Sequence, residues 1–244
     1  MGVMPMVEHI AGHVPKPACC IVGEPTGMRV VDAHKSIVTY VTEVTGHEAH
    51  SSLTHRGVNA IVYAAKMIGE ADVIAEDFRR RGDPSGRFDP PYSTLHVGVI
   101  EGGTVKNIVP RQCLVQWETR LLPGADEDEA PARLGAFAAA LEPGMKAVAA
   151  TAGIETQRTA DVPALAPEPG SAAETLAFQL TGRNGTEAVS YGTEAGHFQR
   201  AGIPTVVCGP GSIEQAHKPD EFVARSELVA YGVFLERLIE TLTR

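Results

Sequence analysis

The stretch "IVTYVTEVTGHEAHSS", residues 37–52, changes character at Gly46. Seven of its first nine residues are β-branched, the composition of a strand. Beyond the histidines, Val58, Ile61, Val62, Ala65 and Ile68 recur at helical spacing, so a helix is expected from about residue 55 to 79, capped by Ser52 or Thr54. "RRRGDPSGRFDPPYS" (79–93) is a loop by its Pro, Gly and Asp content. "TLHVGVI" (94–100) reads as a strand, "EGG" (101–103) as a turn, and 105–121 as the long second strand of a hairpin. "ADEDEA" (125–130) places four acids at a helix start, where the helix dipole favours them. Leu134, Phe137, Ala138 and Leu141 give that helix an apolar face, and 145–160 supplies another strand. The order strand–helix–strand–strand–helix–strand is that of a split β-α-β unit, a four-stranded antiparallel sheet with two helices on one face.

Working outward, "DVPALAPEPG" (161–170) carries three prolines and reads as a linker. After it come a helix (171–182), a strand (187–191), a glycine-rich loop (192–197), the strand "PTVVC" (204–208), a loop (209–221) and a helix (225–243). That last helix carries Leu228, Tyr231, Leu235, Leu238 and Leu242 on one stripe. Ile21 and Val22 form a strand near the start. This is an α/β pattern. The expected organisation is discontinuous: residues 1–36 and 162–244 form one α/β domain, and 37–161 is inserted into it.

The 244 residues are 43% hydrophobic, enough to bury a core. Twenty-one basic against 30 acidic residues leave a net charge of −9, which argues against nucleic acid or an anionic membrane as the partner. No apolar run approaches a membrane span, and the N-terminus reads as carrying no signal peptide. Cys19, Cys20, Cys113 and Cys208 show no C-x-x-C spacing. They read as buried thiols of a reducing, cytoplasmic protein.

Several residues could carry chemistry. Glu24 in "GEPTG" (23–27) follows a strand, at the edge where α/β domains bind ligands. His217 in "GPGSIEQAHKPDEFV" (209–223) follows another. A carboxylate and an imidazole suit zinc, cobalt or manganese. His47 and His50 lie before a helix, where a histidine can donate to an oxyanion. Arg120 can fork onto a carboxylate, with Asn107 thirteen residues before it. Gly192 and Thr193 offer backbone amides, and Glu194 a counter-charge for a cationic group. Taken singly, each also has a plain reading as turn acid, capping loop or sheet ion pair.

In this order, "GEPTG", "GHEAHSS", "NIVP…WETR", "GTEAGHF" and "GPGSIEQAHKPDEF" resemble the zinc aminoacylase and carboxypeptidase (M20) family of two-metal metallopeptidases. "RFDPPYSTLHVGVIEGGTVKNIVP" is most similar to its acetylornithine deacetylase branch. The resemblance covers essentially the whole chain. It implies an incomplete zinc-exopeptidase-like α/β catalytic domain with an inserted α+β dimerisation domain. By the same resemblance, Glu24 and His217 are metal ligands and His50 steadies an oxyanion across a homodimer. Asn107 and Arg120 hold the substrate's carboxylate end, and Gly192 and Thr193 contact substrate. The dimer contact is expected at strand 37–45 and the helix from 55.

The family pattern also has an H-x-D strand end, a bridging aspartate and a Glu-Glu pair upstream of "GEPT". No H-x-D occurs in this sequence. Its adjacent acidic pairs, Glu76-Asp77, the 126–129 run and Asp220-Glu221, do not take those places. The expectation is a truncated amide hydrolase, inactive alone, whose complete form cleaves N-acetyl-L-ornithine or another small N-acyl amino acid with zinc or cobalt. Two alternatives stay open: a non-catalytic binding homologue, and a sister enzyme such as a succinyl-diaminopimelate desuccinylase.

Overall fold

The computed structural model describes residues 2–243, so Met1 and Arg244 at the ends of the expected catalytic segments lie outside the described residues. The chain divides into two compact units. Unit 1 takes in the chain through Ser36, the short piece Arg87–Asp89, and the chain from Val162 onward. Unit 2 is Ile37–Gly86 with Pro90–Asp161. Among the described residues no helix is long and apolar enough to cross a membrane.

Unit 2 is built from β3 (Ile37–Thr45), α2 (Ala60–Arg81), β4 (Thr94–Gly102), β5 (Gln112–Arg120), α3 (Glu129–Lys146) and β6 (Gly153–Val162), counting β1 and β2 in unit 1. The strands lie in the order β4-β5-β3-β6. β3 and β4 both run antiparallel to β5. Burial alternates along β3, as a sheet with one covered face requires. Val38, Tyr40 and Val44 of β3 and Val115 and Trp117 of β5 pack against Met67, Ile74 and Phe78 of α2 and Leu134 and Met145 of α3. The Trp117 ring stacks on Tyr40 at 4.1 Å, and its indole N–H donates to the Thr42 hydroxyl at 2.9 Å.

Three local expectations are corrected here. The long helix begins at Ala60, and its cap is Asn59, whose side-chain oxygen accepts from the Val62 N–H. Ser52 and Thr54 instead belong to a separate 3-10 turn, Ser51–Arg56, headed by His50. The β5 ladder starts only at Gln112, because Pro110 has no N–H to give and its carbonyl is taken by the Ala60 N–H. Helix α3 continues through Lys146, so the strand expected from 145 begins at Gly153.

Unit 1 holds α1 (Met4–His13), β1 (Cys20–Val22), β2 (Val30–His34), α4 (Ala172–Thr181), β7 (Thr186–Val189), α5 (Ala195–Arg200), β8 (Thr205–Val207) and α6 (Arg225–Leu242). Its sheet order is β1-β8-β2-β7. β1 runs parallel to β8, β2 runs parallel to β7, and the two pairs meet antiparallel at Val31 and Val207. Every residue of β2 is buried. Sequence periodicity passes over this strand because Asp32 and His34 interrupt its apolar run, and both polar groups are satisfied inside the unit. Val30 and Val206 face α4, whereas Val31 and Val207 face Ala195 of α5 and Leu165. The sheet is thus covered on both faces. The glycine-rich stretch read as a loop over 192–197 turns into α5 at Ala195.

Candidate active site

The loops that carry the candidate metal ligands of unit 1 are stitched together by hydrogen bonds. The turn after β1 and the loop after β8 leave neighbouring parallel strands at the same edge. Thr26 N–H donates to the Gly209 carbonyl at 3.2 Å, and Gly209 N–H donates back to the Thr26 hydroxyl at 3.1 Å. Gly27 N–H donates to Gly211 O at 2.7 Å and Met28 N–H to Gly209 O at 3.0 Å. Only glycine fits at 209, since a Cβ there would lie 2.6 Å from the Glu24 carbonyl oxygen.

Glu24 is half-buried on this seam. Burial raises its pKa, the neighbouring Glu194 carboxylate raises it further, and His217 partly offsets both. His217 is exposed, with φ 61°, and its N–H donates to the Glu221 carboxylate at 3.2 Å. Holding a non-glycine residue in that left-handed conformation costs roughly 1–2 kcal/mol, an expense that is common at functional positions.

A catalytic zinc site takes three protein ligands and keeps one open position. Glu24 and His217 supply one carboxylate and one imidazole. Among the described residues no group of three or more His, Cys, Asp or Glu side chains is placed to hold a metal ion. The residues present thus do not by themselves fit a complete catalytic metal centre.

Thr193 is buried with its side chain turned inward. Its hydroxyl meets the His34 Nε2 at 3.1 Å and accepts the Ala195 N–H at 3.1 Å. What this turn can offer a ligand is therefore backbone. His34 is a residue that sequence reasoning missed. It is fully buried, with Nδ1 2.8 Å from the Lys35 carbonyl oxygen. A carbonyl only accepts, so Nδ1 carries the proton and Nε2 accepts from Thr193. Burial, with a smaller contribution from His197, pushes the His34 pKa down to about 4. The sequence signal was a histidine and a lysine set against two valines in "VVDAHK".

In unit 2 the candidates separate into two places. His50 and Asn107 are neighbours: His50 bridges Ile108, Ser51 N–H donates to the Asn107 carbonyl at 3.0 Å, and Val109 N–H donates to Ala49 O at 2.8 Å. Gly46 allows Val58 to close in on the start of this loop, since a Cβ there would lie 2.1 Å from the Val58 carbonyl oxygen. His50 Nδ1 accepts the Ser52 N–H at 3.2 Å, which leaves the proton of the neutral ring on Nε2. That N–H is an exposed donor. Arg120 lies at the other end of β5, which spans roughly 27 Å at about 3.3 Å per residue. Its Nε donates to Glu118 at 2.9 Å.

β3 is bonded on both sides, by β5 and β6, so it has no edge to offer a second copy. The open edges of this sheet are β4 and β6.

Residues 32–146 match the model of the M20 peptidase dimerisation domain. Over 225 residues the chain is 34% identical to the acetylornithine deacetylase of Edwardsiella ictaluri, covering 92% of this chain and 57% of that protein. It is also 34% identical over 226 residues to the acetylornithine deacetylase of Myxococcus xanthus, covering 90% and 56%. Among solved structures it resembles an aminopeptidase from Bacillus cereus, with a TM-score of 0.67 and 22% identity, over 92% of this chain and 56% of that one. That likeness shows the α/β fold with its inserted antiparallel-sheet domain. The chain spans about half the length of the curated relatives it matches. With its stitched strand-end loops, its inserted β-α-β unit and these relatives, the chain belongs to the M20 peptidase family of hydrolases.

Proposed function

We propose that this chain is part of a cytoplasmic, metal-dependent amide hydrolase that converts N-acetyl-L-ornithine to ornithine and acetate in arginine synthesis. The reading is supported by the Thr26–Gly209 stitching, which joins the loops that carry Glu24 and His217, together with deacetylase relatives at 34% identity. Glu24 and His217 are the residues that would hold zinc or cobalt, one donor pair of a site that the described residues do not complete by themselves. His50 presents Nε2–H as an oxyanion donor across a homodimer, Arg120 and Asn107, at opposite ends of β5, bind the substrate's carboxylate end from different subunits, and the Gly192–Thr193 backbone contacts the substrate. Glu194 suits the cationic tail of ornithine. The match to a dimerisation domain supports a homodimer formed through unit 2.

Among the described residues no third metal donor joins Glu24 and His217, so the chain is proposed to be inactive alone. Purified protein, loaded with zinc or cobalt, is to be assayed on N-acetyl-L-ornithine and on succinyl-diaminopimelate. No release above the protein-free rate is expected from either. Turnover of N-acetylornithine would overturn the inactivity while supporting the substrate. Faster turnover of the succinylated compound would move the reading to the sister enzyme. Calorimetry separates binding from activity: weak zinc binding is expected, and it should disappear in Glu24→Gln and in His217→Ala.

A further inference from the structure

The loop "RFDPPYS" (87–93) carries a feature that the proposed chemistry does not use. Its first three residues, Arg87–Asp89, belong to unit 1, although the chain on both sides of them belongs to unit 2. The Arg87 guanidinium donates from one Nη to Asp32 Oδ1 at 2.5 Å and to the Thr186 hydroxyl at 3.2 Å. Thr186 in turn donates to Asp32 Oδ2 at 3.0 Å. Asp32 is buried on β2, and Thr186 opens β7, the edge strand of the sheet. Phe88 is buried, with the Lys35 ammonium 5.9 Å from its ring centre. The Asp89 carbonyl accepts the Ser190 hydroxyl at 2.5 Å.

Ser190 begins the turn that carries Gly192 and Thr193 from β7 to α5. This turn is held at three points: Ser190 on Asp89, the Tyr191 hydroxyl 3.5 Å from the Pro25 carbonyl oxygen, and Thr193 on His34. We propose that Arg87–Asp89 is a positioning strap for the candidate substrate-contacting turn, with Arg87 as its positioning residue. A fork from one guanidinium to a buried carboxylate and a hydroxyl fixes direction as well as distance. The charge pair anchors the strap on β2 and β7, and Asp89 then presents its carbonyl to Ser190. The inference rests on the reading of residues 192–193 as a substrate contact, but its geometry is independent of that reading.

Hydrogen exchange of the 244-residue chain, followed by mass spectrometry, tests the strap without metal or catalysis. In Arg87→Ala, amides over 186–194 should exchange about tenfold faster or more, while those of β5 stay unchanged. Millimolar ethylguanidinium should restore protection to that variant, which a general loss of packing would not allow. Arg87→Lys keeps the charge but not the fork, so it should restore protection only in part. Ser190→Ala removes only the bond to Asp89, and a smaller rise confined to 190–194 is expected. Unchanged exchange at 190–194 in Ser190→Ala overturns the proposal even if Arg87→Ala does not fold. A rise spread equally over β5, or no response to ethylguanidinium, overturns it as well. Failure of the deacetylase assay leaves these outcomes untouched, so the two readings fail separately.

Discussion

Thr26 and Gly209 are bonded to each other reciprocally, each donating its backbone N–H to the other, although 183 positions separate them. The Thr26 hydroxyl also donates to the Arg29 carbonyl at 2.7 Å, which closes the turn on itself. This seam joins the two loops that carry Glu24 and His217. Both partners are buried, so each bond satisfies a polar group that folding removes from solvent.

Thr26→Val keeps the shape of the side chain and removes the hydroxyl. The Gly209 N–H then loses its partner inside the protein, at a cost of about 1–3 kcal/mol. Denaturant unfolding should show a lower midpoint with an unchanged slope. The weak zinc binding expected of the parent chain should fall too, because the two donor loops come apart.

Gly209→Ala places a methyl group 2.6 Å from backbone oxygens of Gly23 and Glu24. Backbone cannot rotate away as a side chain would, so a loss of about 1–3 kcal/mol or more is expected. Gly12 has open space at its Cβ position, so Gly12→Ala serves as the control and should leave the melting temperature close to that of the parent.

His34 gives the protein a pH dependence of its own. Its folded pKa of about 4 lies below the ordinary 6.5, so the unfolded chain takes up a proton first as pH falls. Its contribution is therefore complete above pH 6.5, declines as pH falls toward 4, and is lost below that. The gap corresponds to about 3 kcal/mol. Stability measured at pH 7 and at pH 4 should differ by less in His34→Gln than in the parent, by about that amount. An equal pH dependence in both would show that the imidazole already accepts a proton while folded.

The single tryptophan, Trp117, lies in the core of unit 2, so its fluorescence reports on that unit. Trp117→Phe loses the bond to Thr42 and should cost about 1 kcal/mol. Trp117→Ala opens a cavity beside Tyr40 and should cost about 3–5 kcal/mol. Circular dichroism in the near ultraviolet, read with Tyr40 in place, checks both.

The order of strands and helices in unit 2 was legible in the sequence, although the starts of α2, β5 and β6 were not. The β-branched run 37–45 and the helical spacing from Val58 are local signals, and each agrees with the packing that follows. The sequence by itself also determined the order of the candidate motifs, since "GEPTG" and "GPGSIEQAHKPDEF" keep their residue types whatever surrounds them. Three things were decided only in the tertiary structure. The buried strand Val30–His34 contains Asp32 and His34, whose burial depends on Arg87 and Thr193 from distant segments. The interior place of β3 follows from its pairing with β5 and β6, and pairing cannot be read from one strand's composition. The joining of the loops that carry Glu24 and His217 rests largely on backbone bonds from Thr26 and Met28 to Gly209 and from Gly27 to Gly211, and backbone groups are the same in every residue, so no side-chain pattern announces them.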